Sequence, residues 1–315
     1  MTIVGTGNVG SALAHRLAVM DIADEIVLVD EKPGLAEGVA LDLNHAAVLE
    51  GYRTHFVGTT SDGYDATTDS ALIVLLVGRS VSAEDAASGD IYPESRMRQA
   101  AVGVLEAGQR AADASPDAVL FNMTGPIIPM TTLAQKSSGL PHARVFGQDN
   151  LSLTAAAKRY LARQLNVPAR DIDFHAFGCH GHFIAALSHA RVQGRPLRDV
   201  ATDDQITKAL DRSYNGLGEI VRFQQSFGPR YTPAAAGARF IEAVLTDSKA
   251  MLPTCAYAKG IHGLDGDYVG TLCVIGSSGV EGFVDIELSE KEDAELHNAI
   301  RAQEIHLEKF VDLLE

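Results

Sequence analysis

Cysteine is scarce in this chain of 315 residues, and the three present, Cys179, Cys255 and Cys273, are odd in number and far apart. No disulfide framework follows from that spacing, so the fold must rest on a packed core. Long apolar runs are missing as well. The first, Ile3–Val4, is broken at once by glycine, and nowhere does the chain reach the ~18 uncharged apolar residues that cross a bilayer. Neither a signal peptide nor a membrane span is therefore expected. Positive charge is also short: 26 Lys and Arg stand against 41 Asp and Glu, a net charge of −15. An acidic surface repels phosphate backbones and anionic headgroups, so nucleic acid and membranes are excluded as expected partners. With 46% hydrophobic and 21% charged residues, the composition is that of an ordinary globular chain able to bury a core, here expected to be cytoplasmic.

What is present begins at once. Residues 2–10 read TIVGTGNVG, a β-branched run followed by Gly5, Gly7 and Gly10. Leu13, Leu17 and Met20 then recur at helical spacing, so a helix opens at Gly7–Asn8. The apolar strand Glu25–Asp30 follows and ends in an acid. Strand, glycine turn, helix, strand and acid in this order form the dinucleotide fingerprint in its proper setting. Gly5, Gly7, Asn8, Val9 and Gly10 would cradle a pyrophosphate, which the helix N-terminus attracts through free N–H groups and its dipole. Asp30 would accept from the ribose hydroxyls and repel a 2′-phosphate, which favours NAD over NADP. The bland alternative is a glycine turn that only packs helix on strand. The first strand has about three residues, shorter than usual, so either it is clipped or the true start lies upstream.

The alternation continues. Helical patterns cover Gly34–His45 and Glu94–Ala112, and strand patterns cover His55–Val57, Ala71–Val77 and Ala118–Met123, with a further short strand near Val145. Repeated β-α-β predicts a parallel sheet with crossover helices, an α/β fold of Rossmann type over residues 1–144. Residues 145–315 read differently, as an α+β domain. Helices are predicted over Ser152–Leu165, Asp203–Gln225, Ala234–Leu245 and Ser289–Leu314, the last opened by the capping pattern Ser289 to Glu292. Strand Asp171–Phe177 pairs antiparallel with Ile184–Val192, and Ala256–Ile261 with Tyr268–Ile275 forms a hairpin.

Residues 171–183, DIDFHAFGCHGHF, concentrate the chemistry. Histidine is the side chain best placed to exchange a proton near neutral pH, and flanking glycines let a ligand come close. A metal site built on Cys179, His180 and His182, with His175 near, is the competing use of these residues, but no carboxylate or second cluster has a fixed spacing to it. No metal is expected.

GTGNVG, IVLVD, GVALDLNHA, the apolar strand ending Val77–Gly78, GCHG, RYTPAAA and YVG resemble the lactate/malate dehydrogenase family in order and spacing over nearly the whole chain. The resemblance implies a Rossmann sheet followed by an α+β substrate domain, NAD as cofactor, a small-molecule substrate and a homodimer or homotetramer. It also implies that His180 is the acid/base of hydride transfer, with Val77, Gly78, Gln99 and Met123 added to the cofactor contacts.

The substrate positions depart from the family pattern. Counting back the family's spacing from His180 places Leu153 where the family has the aspartate that orients the histidine, and Ala156 where it has the arginine that clamps a substrate carboxylate. The turn that carries an asparagine in the family reads Thr124-Gly125-Pro126. The mobile loop is longer than usual, with Arg79 near the first family arginine and Tyr92 in place of the second. Its Glu84, Asp85 and Asp90, with Glu94, suit a neutral or cationic substrate, or simply a solvated face. Arg79, Gly125, Leu153, Ala156 and His182 thus line the expected substrate pocket. Without an acid at 153, burial should lower the pKa of His180 unless another carboxylate, Asp149 being the nearest in sequence, takes that place. The expectation is an NAD-dependent oxidoreductase acting on a carbonyl, alcohol, imine or amine other than malate or lactate. The alternatives are a silent NAD-binding protein, or a malate or lactate dehydrogenase with relocated substrate residues.

Overall fold

The computed structural model describes residues 1–78, 93–179, 182–224, 228–308, 310 and 313. The first half delivers strands β1 (Thr2–Val4), β2 (Glu25–Asp30), β3 (His55–Thr60), β4 (Leu72–Leu75), β5 (Val119–Asn122) and β6 (Val145–Gln148). Helices α1 (Asn8–Met20), α2 (Leu35–Glu50), α3 (Glu94–Ala114) and α4 (Ile127–Ser138) connect them. The strands are short and apolar, as suits strands covered on both faces, and they pair in parallel in the order β6-β5-β4-β1-β2-β3. Leu13, Leu17, Ala40 and Leu43 of α1 and α2 cover one face. Met97, Ala101, Val104, Met130 and Leu133 of α3 and α4 cover the other. The α/β class is as the sequence predicts.

The second half contains α5 (Leu151–Leu165), β7 (Ile172–Asp173), β8 (Ala176–Cys179), β9 (His182–Ala185), β10 (Arg191–Val192), β11 (Arg195–Pro196), α6 (Leu197–Val200), α7 (Asp203–Gln224) and α8 (Tyr231–Leu245). It closes with β12 (Ala250–Lys259), β13 (Asp265–Gly276), β14 (Gly279–Phe283) and α9 (Glu290–Glu308). β12 pairs antiparallel with β6, so the β12-β13-β14 meander extends the parallel sheet to nine strands among the described residues. Phe240 of α8 also packs on Phe121 and Phe146 of the parallel strands, with ring centroids 5.1 and 5.9 Å away. The sheet and its core therefore run across the expected boundary at residues 144 and 145.

Several predicted bounds need correction. Helix α2 continues past His45 to Glu50, because Ala46 to Leu49 favour helix and Gly51, at φ 82°, provides the left-handed residue that ends it. The hairpin is longer than expected and has a third strand. Pro253, which ordinarily argues against a strand interior, sits within β12. The partner strand expected over Ile184–Val192 is interrupted: β8 pairs with β9 and β7 with β10, on either side of a turn near Ser188. Glu292 holds that turn, accepting from the Ser188 backbone N–H at 3.0 Å.

The same glutamate completes the predicted capping box of α9. Its carboxylate accepts from the Ser289 N–H at 2.9 Å, while Ser289 Oγ accepts from the Glu292 N–H at 3.3 Å. Ser289→Ala should cost about 1 kcal/mol of stability, read as a lower urea midpoint at unchanged slope. An unchanged midpoint would mean that the helix start is held by the Ser188 contact alone.

Candidate active site

At the carboxyl ends of the parallel strands, the glycine turn is defined by close approach. Gly5 has φ 103°, and a Cβ there would lie 2.2 Å from the Leu76 carbonyl oxygen. A Cβ on Gly10 would lie 1.9 Å from the carbonyl oxygen of Gly5. Over Gly7, by contrast, nothing lies within 4 Å, so the turn is closed toward the protein and open outward. Gly7 caps α1 with no side-chain hydrogen bond and no acid follows in the first turn, leaving the positive end of the helix to an anionic ligand. Asp30 sits beside it with its carboxylate already oriented: Oδ2 accepts from the Thr6 N–H at 2.7 Å, and Oδ1 from the Lys32 N–H at 3.0 Å. These residues fit a dinucleotide.

A second turn is built on Asn122, which is wholly buried at the end of β5. Its Nδ2 donates to the carbonyls of Thr124 and Ile127 and to Thr131 Oγ1, and its Oδ1 accepts from the Thr124 N–H at 2.9 Å. Thr124 Oγ1 in turn accepts from the Val77 N–H at 3.0 Å. The two strand ends carrying Val77 and Met123 are thereby tied together, and Met123 rests where a Cβ on Gly237 would meet its Sδ at 2.7 Å. Gly125 is half-buried in this turn. Gln99 is exposed on α3, next to Ala100, whose Cβ approaches Gly78. Sequence reading missed Asn122, although an Asn at a strand end just before a Gly-Pro turn is a legible signal.

Helix α5 carries Leu153 and Ala156. Thr154 Oγ1 accepts from the Ala176 N–H at 2.9 Å, which fixes the register of α5 against β8. Leu153 packs against the apolar cluster that includes Ala157, Leu161, Ile172 and Phe174, and Ala156 is half-buried on the same helix. The remaining acid nearby is Asp149, at the step from β6 into α5. Its carboxyl is buried, with Oδ1 accepting from Asn150 Nδ2 at 2.9 Å and Oδ2 without a hydrogen-bond partner among the described residues. Burial pushes its pKa up to about 8, against the pull of the bonds from Asn150. Gly270 on β13 makes room for it: a Cβ there would lie 2.1 Å from Asp149 Oδ2 and 2.2 Å from the Gly178 carbonyl oxygen.

His180 and Arg79 lie outside the described residues, as do Glu84, Asp85, Asp90 and Tyr92. The backbones of Cys179 and His182 pair across β8 and β9, but their side chains are outside the described set. His175, once weighed as a metal ligand, faces Asp173 at 3.1 Å, and burial lowers its pKa more than Asp173 raises it.

Residues 1–147 match the NAD binding domain of lactate/malate dehydrogenase, and residues 154–312 match the alpha/beta C-terminal domain of the same enzymes. The chain belongs to the lactate/malate dehydrogenase family. A malate dehydrogenase of Heliobacterium modesticaldum is 32% identical over 293 residues, 93% of this chain and 92% of that protein. One from Nostoc punctiforme is 32% identical over 315 residues, covering 100% of this chain and 94% of its own. Among solved structures, malate dehydrogenase from Salinibacter ruber superposes with a TM-score of 0.90 at 29% identity, over 99% of this chain and 97% of that one. A Cryptosporidium parvum lactate dehydrogenase complexed with lactic acid and NAD gives 0.90 at 25% identity, over 98% and 96%. This family member is an NAD-dependent dehydrogenase with a Rossmann fold, and no described helix is long and apolar enough to cross a membrane.

The raised pKa of Asp149 has a consequence for stability. Its folded value lies above the unfolded one near 4, so the folded state is favoured most at low pH and loses ground as pH rises through about 8. Asp149→Asn removes the titrating group. In urea unfolding, the advantage of this variant over the native chain should widen between about pH 5 and pH 8, by at most about 1.4 kcal/mol per pH unit. A pH-independent difference would show Asp149 to be ionised in the folded protein.

Proposed function

We propose that this dehydrogenase moves a hydride between NAD and a carbonyl or alcohol, or an imine or amine, that lacks the carboxylate its relatives' substrates carry. His180 is the acid/base of this reaction. What supports the reading is that Thr154 ties α5 to β8 while Leu153 and Ala156 on this helix are apolar, where the resemblance implies an acid and an arginine. Residues 1–144 hold the cofactor, and residues 145–315 supply the catalytic and substrate groups.

Gly5, Gly7, Asn8, Val9 and Gly10 hold the pyrophosphate end, and Asp30 the adenosine ribose. Val77, Gly78, Gln99 and Met123 border the nicotinamide end. Bound there, NAD gives or takes the hydride. His180 as imidazolium supplies the proton to the reduced oxygen or nitrogen, and as neutral imidazole removes it in the reverse direction. Arg79, Gly125, Leu153, Ala156 and His182 bound the substrate. Without an arginine at 156, a carboxylate loses the bidentate partner that the resemblance implies at that position.

A second reading, a malate dehydrogenase whose substrate contacts are relocated, draws support from the relatives named malate dehydrogenase. NADH oxidation across oxaloacetate, pyruvate and a panel of uncharged ketones, aldehydes and imines separates the two. Turnover of the uncharged class, with oxaloacetate and pyruvate at least about a hundredfold slower in kcat/KM, is expected from a missing bidentate pair. Leu153→Asp combined with Ala156→Arg should then raise oxaloacetate turnover. Fast oxaloacetate reduction by the native enzyme would establish the second reading instead.

Asp30→Ser should weaken NADH binding by about tenfold to a hundredfold, the worth of hydrogen bonds to a charged group, and weaken NADPH less. Fluorescence titration with both nucleotides measures this, and parallel losses would remove Asp30 from ribose recognition. Exposed apolar side chains along α2, Leu41, Val48 and Leu49, support assembly as a homodimer or homotetramer.

A further inference from the structure

We propose that Asp149 is a positioning residue for catalysis: its buried carboxyl keeps its proton, donates to the Gly178 carbonyl, and thereby fixes the end of β8 that leads into residue 180. This deepens the function proposed above and rests on it for its kinetic arm.

The geometry comes first. Asp149 Oδ2 and Gly178 O lie 2.1 and 2.2 Å from the same point, the place of a Cβ on Gly270, so the two oxygens are no more than about 4.3 Å apart. A hydrogen bond between them falls within that bound. The slot exists because residue 270 has no side chain, and any larger residue would push the two oxygens apart. A buried oxygen with no donor facing it calls for an explanation. An ionised carboxylate facing a carbonyl oxygen in a dry interior is repelled, whereas one proton between them turns the contact into a bond.

The surroundings favour the neutral acid. Among the described residues no cation is paired with Asp149. On its own segment it meets Asn150, whose amide saturates Oδ1. From the hairpin it faces the Cys273 thiol, which burial pushes well above its ordinary pKa and which the charge of Asp149 would push further. A neutral thiol offers a carboxylate no compensation. Burial, against the pull of the bonds from Asn150, carries Asp149 up to about 8, in agreement with the geometry.

Position along the chain completes the case. Asp149 stands four residues before Leu153, roughly one helical turn upstream of the position without an acid. An acid acting on the backbone of β8 needs no ionised contact with the imidazole, so it can hold Gly178 in place as a neutral group.

Asp149→Asn and Asp149→Ala in the full chain test this. An amide can donate to Gly178 as the protonated acid does, whereas alanine cannot. In alcohol or amine oxidation with NAD, the native enzyme should lose about tenfold in kcat per pH unit above about pH 8, and Asp149→Asn should remove that limb while staying within about threefold of native at neutral pH. Asp149→Ala should fall by more than about tenfold at every pH. Infrared difference spectroscopy gives an arm independent of substrate: a protonated-carboxyl C=O band that disappears on raising the pH and is absent from Asp149→Asn. If Asp149→Asn is as damaged as Asp149→Ala, or if the band is absent from the native protein at neutral pH, Asp149 is ionised and the proposal fails. Should the panel find no turnover, the proposed function falls while the infrared band still decides the state of Asp149.

Discussion

The antiparallel pairing of β6 with β12 is the joint on which the molecule depends. Gln148 lies opposite Thr254, and Gly147 opposite Cys255, so the last parallel strand also receives the meander of the second half. A Cβ on Gly147 would sit 2.4 Å from Thr131 Oγ1 and 3.2 Å from the Cys255 Cβ, which shows how closely α4 and β12 converge on this strand. One residue further, Asp149 turns into α5, and α5 is bonded through Thr154 to β8. The turns at the ends of β1, β4 and β5 and the end of β8 thus take their relative positions from a few residues of one strand. Phe240 resting on Phe121 and Phe146 adds apolar burial to the same joint, so separating the halves would expose aromatic surface as well as break ladder bonds.

Legibility in the sequence followed the range of the forces involved. The glycine turn, α1 and the acid ending β2 are local: strand, turn and helix periodicity suffice, and Gly7 caps α1 where the pattern put it. The Ser289 to Glu292 box was legible for the same reason, since both partners lie within one turn. What could not be read is long-range. Nothing in residues 250–276 announces that β12 will add to a sheet built a hundred residues earlier, and Pro253 even argues against the strand. The interruption of Ile184–Val192 depends on Glu292, a partner far along the chain.

The site shows the same division. The place of Asp30 at the end of β2 was readable because strand and acid adjoin in sequence, yet its bonds to Thr6 and Lys32 were not. Asn122 was overlooked because its role is to satisfy backbone groups of a turn rather than to meet a ligand. Asp149 was singled out only as the nearest acid to a vacant position. Its burial, and the missing side chain at Gly270 that makes this burial possible, come from two segments that meet only in the folded chain.

Leu153 and the buried Asp149 bear together on the proposed proton chemistry. An ionised acid touching an imidazole stabilises the imidazolium and favours the direction that donates a proton. On the proposed reading a leucine at that position removes the bias, and a neutral acid acting through Gly178 does not restore it. Substrate choice and proton chemistry are then joined in this proposal: the apolar α5 surface that denies a carboxylate its partner also leaves the imidazole without a counter-charge.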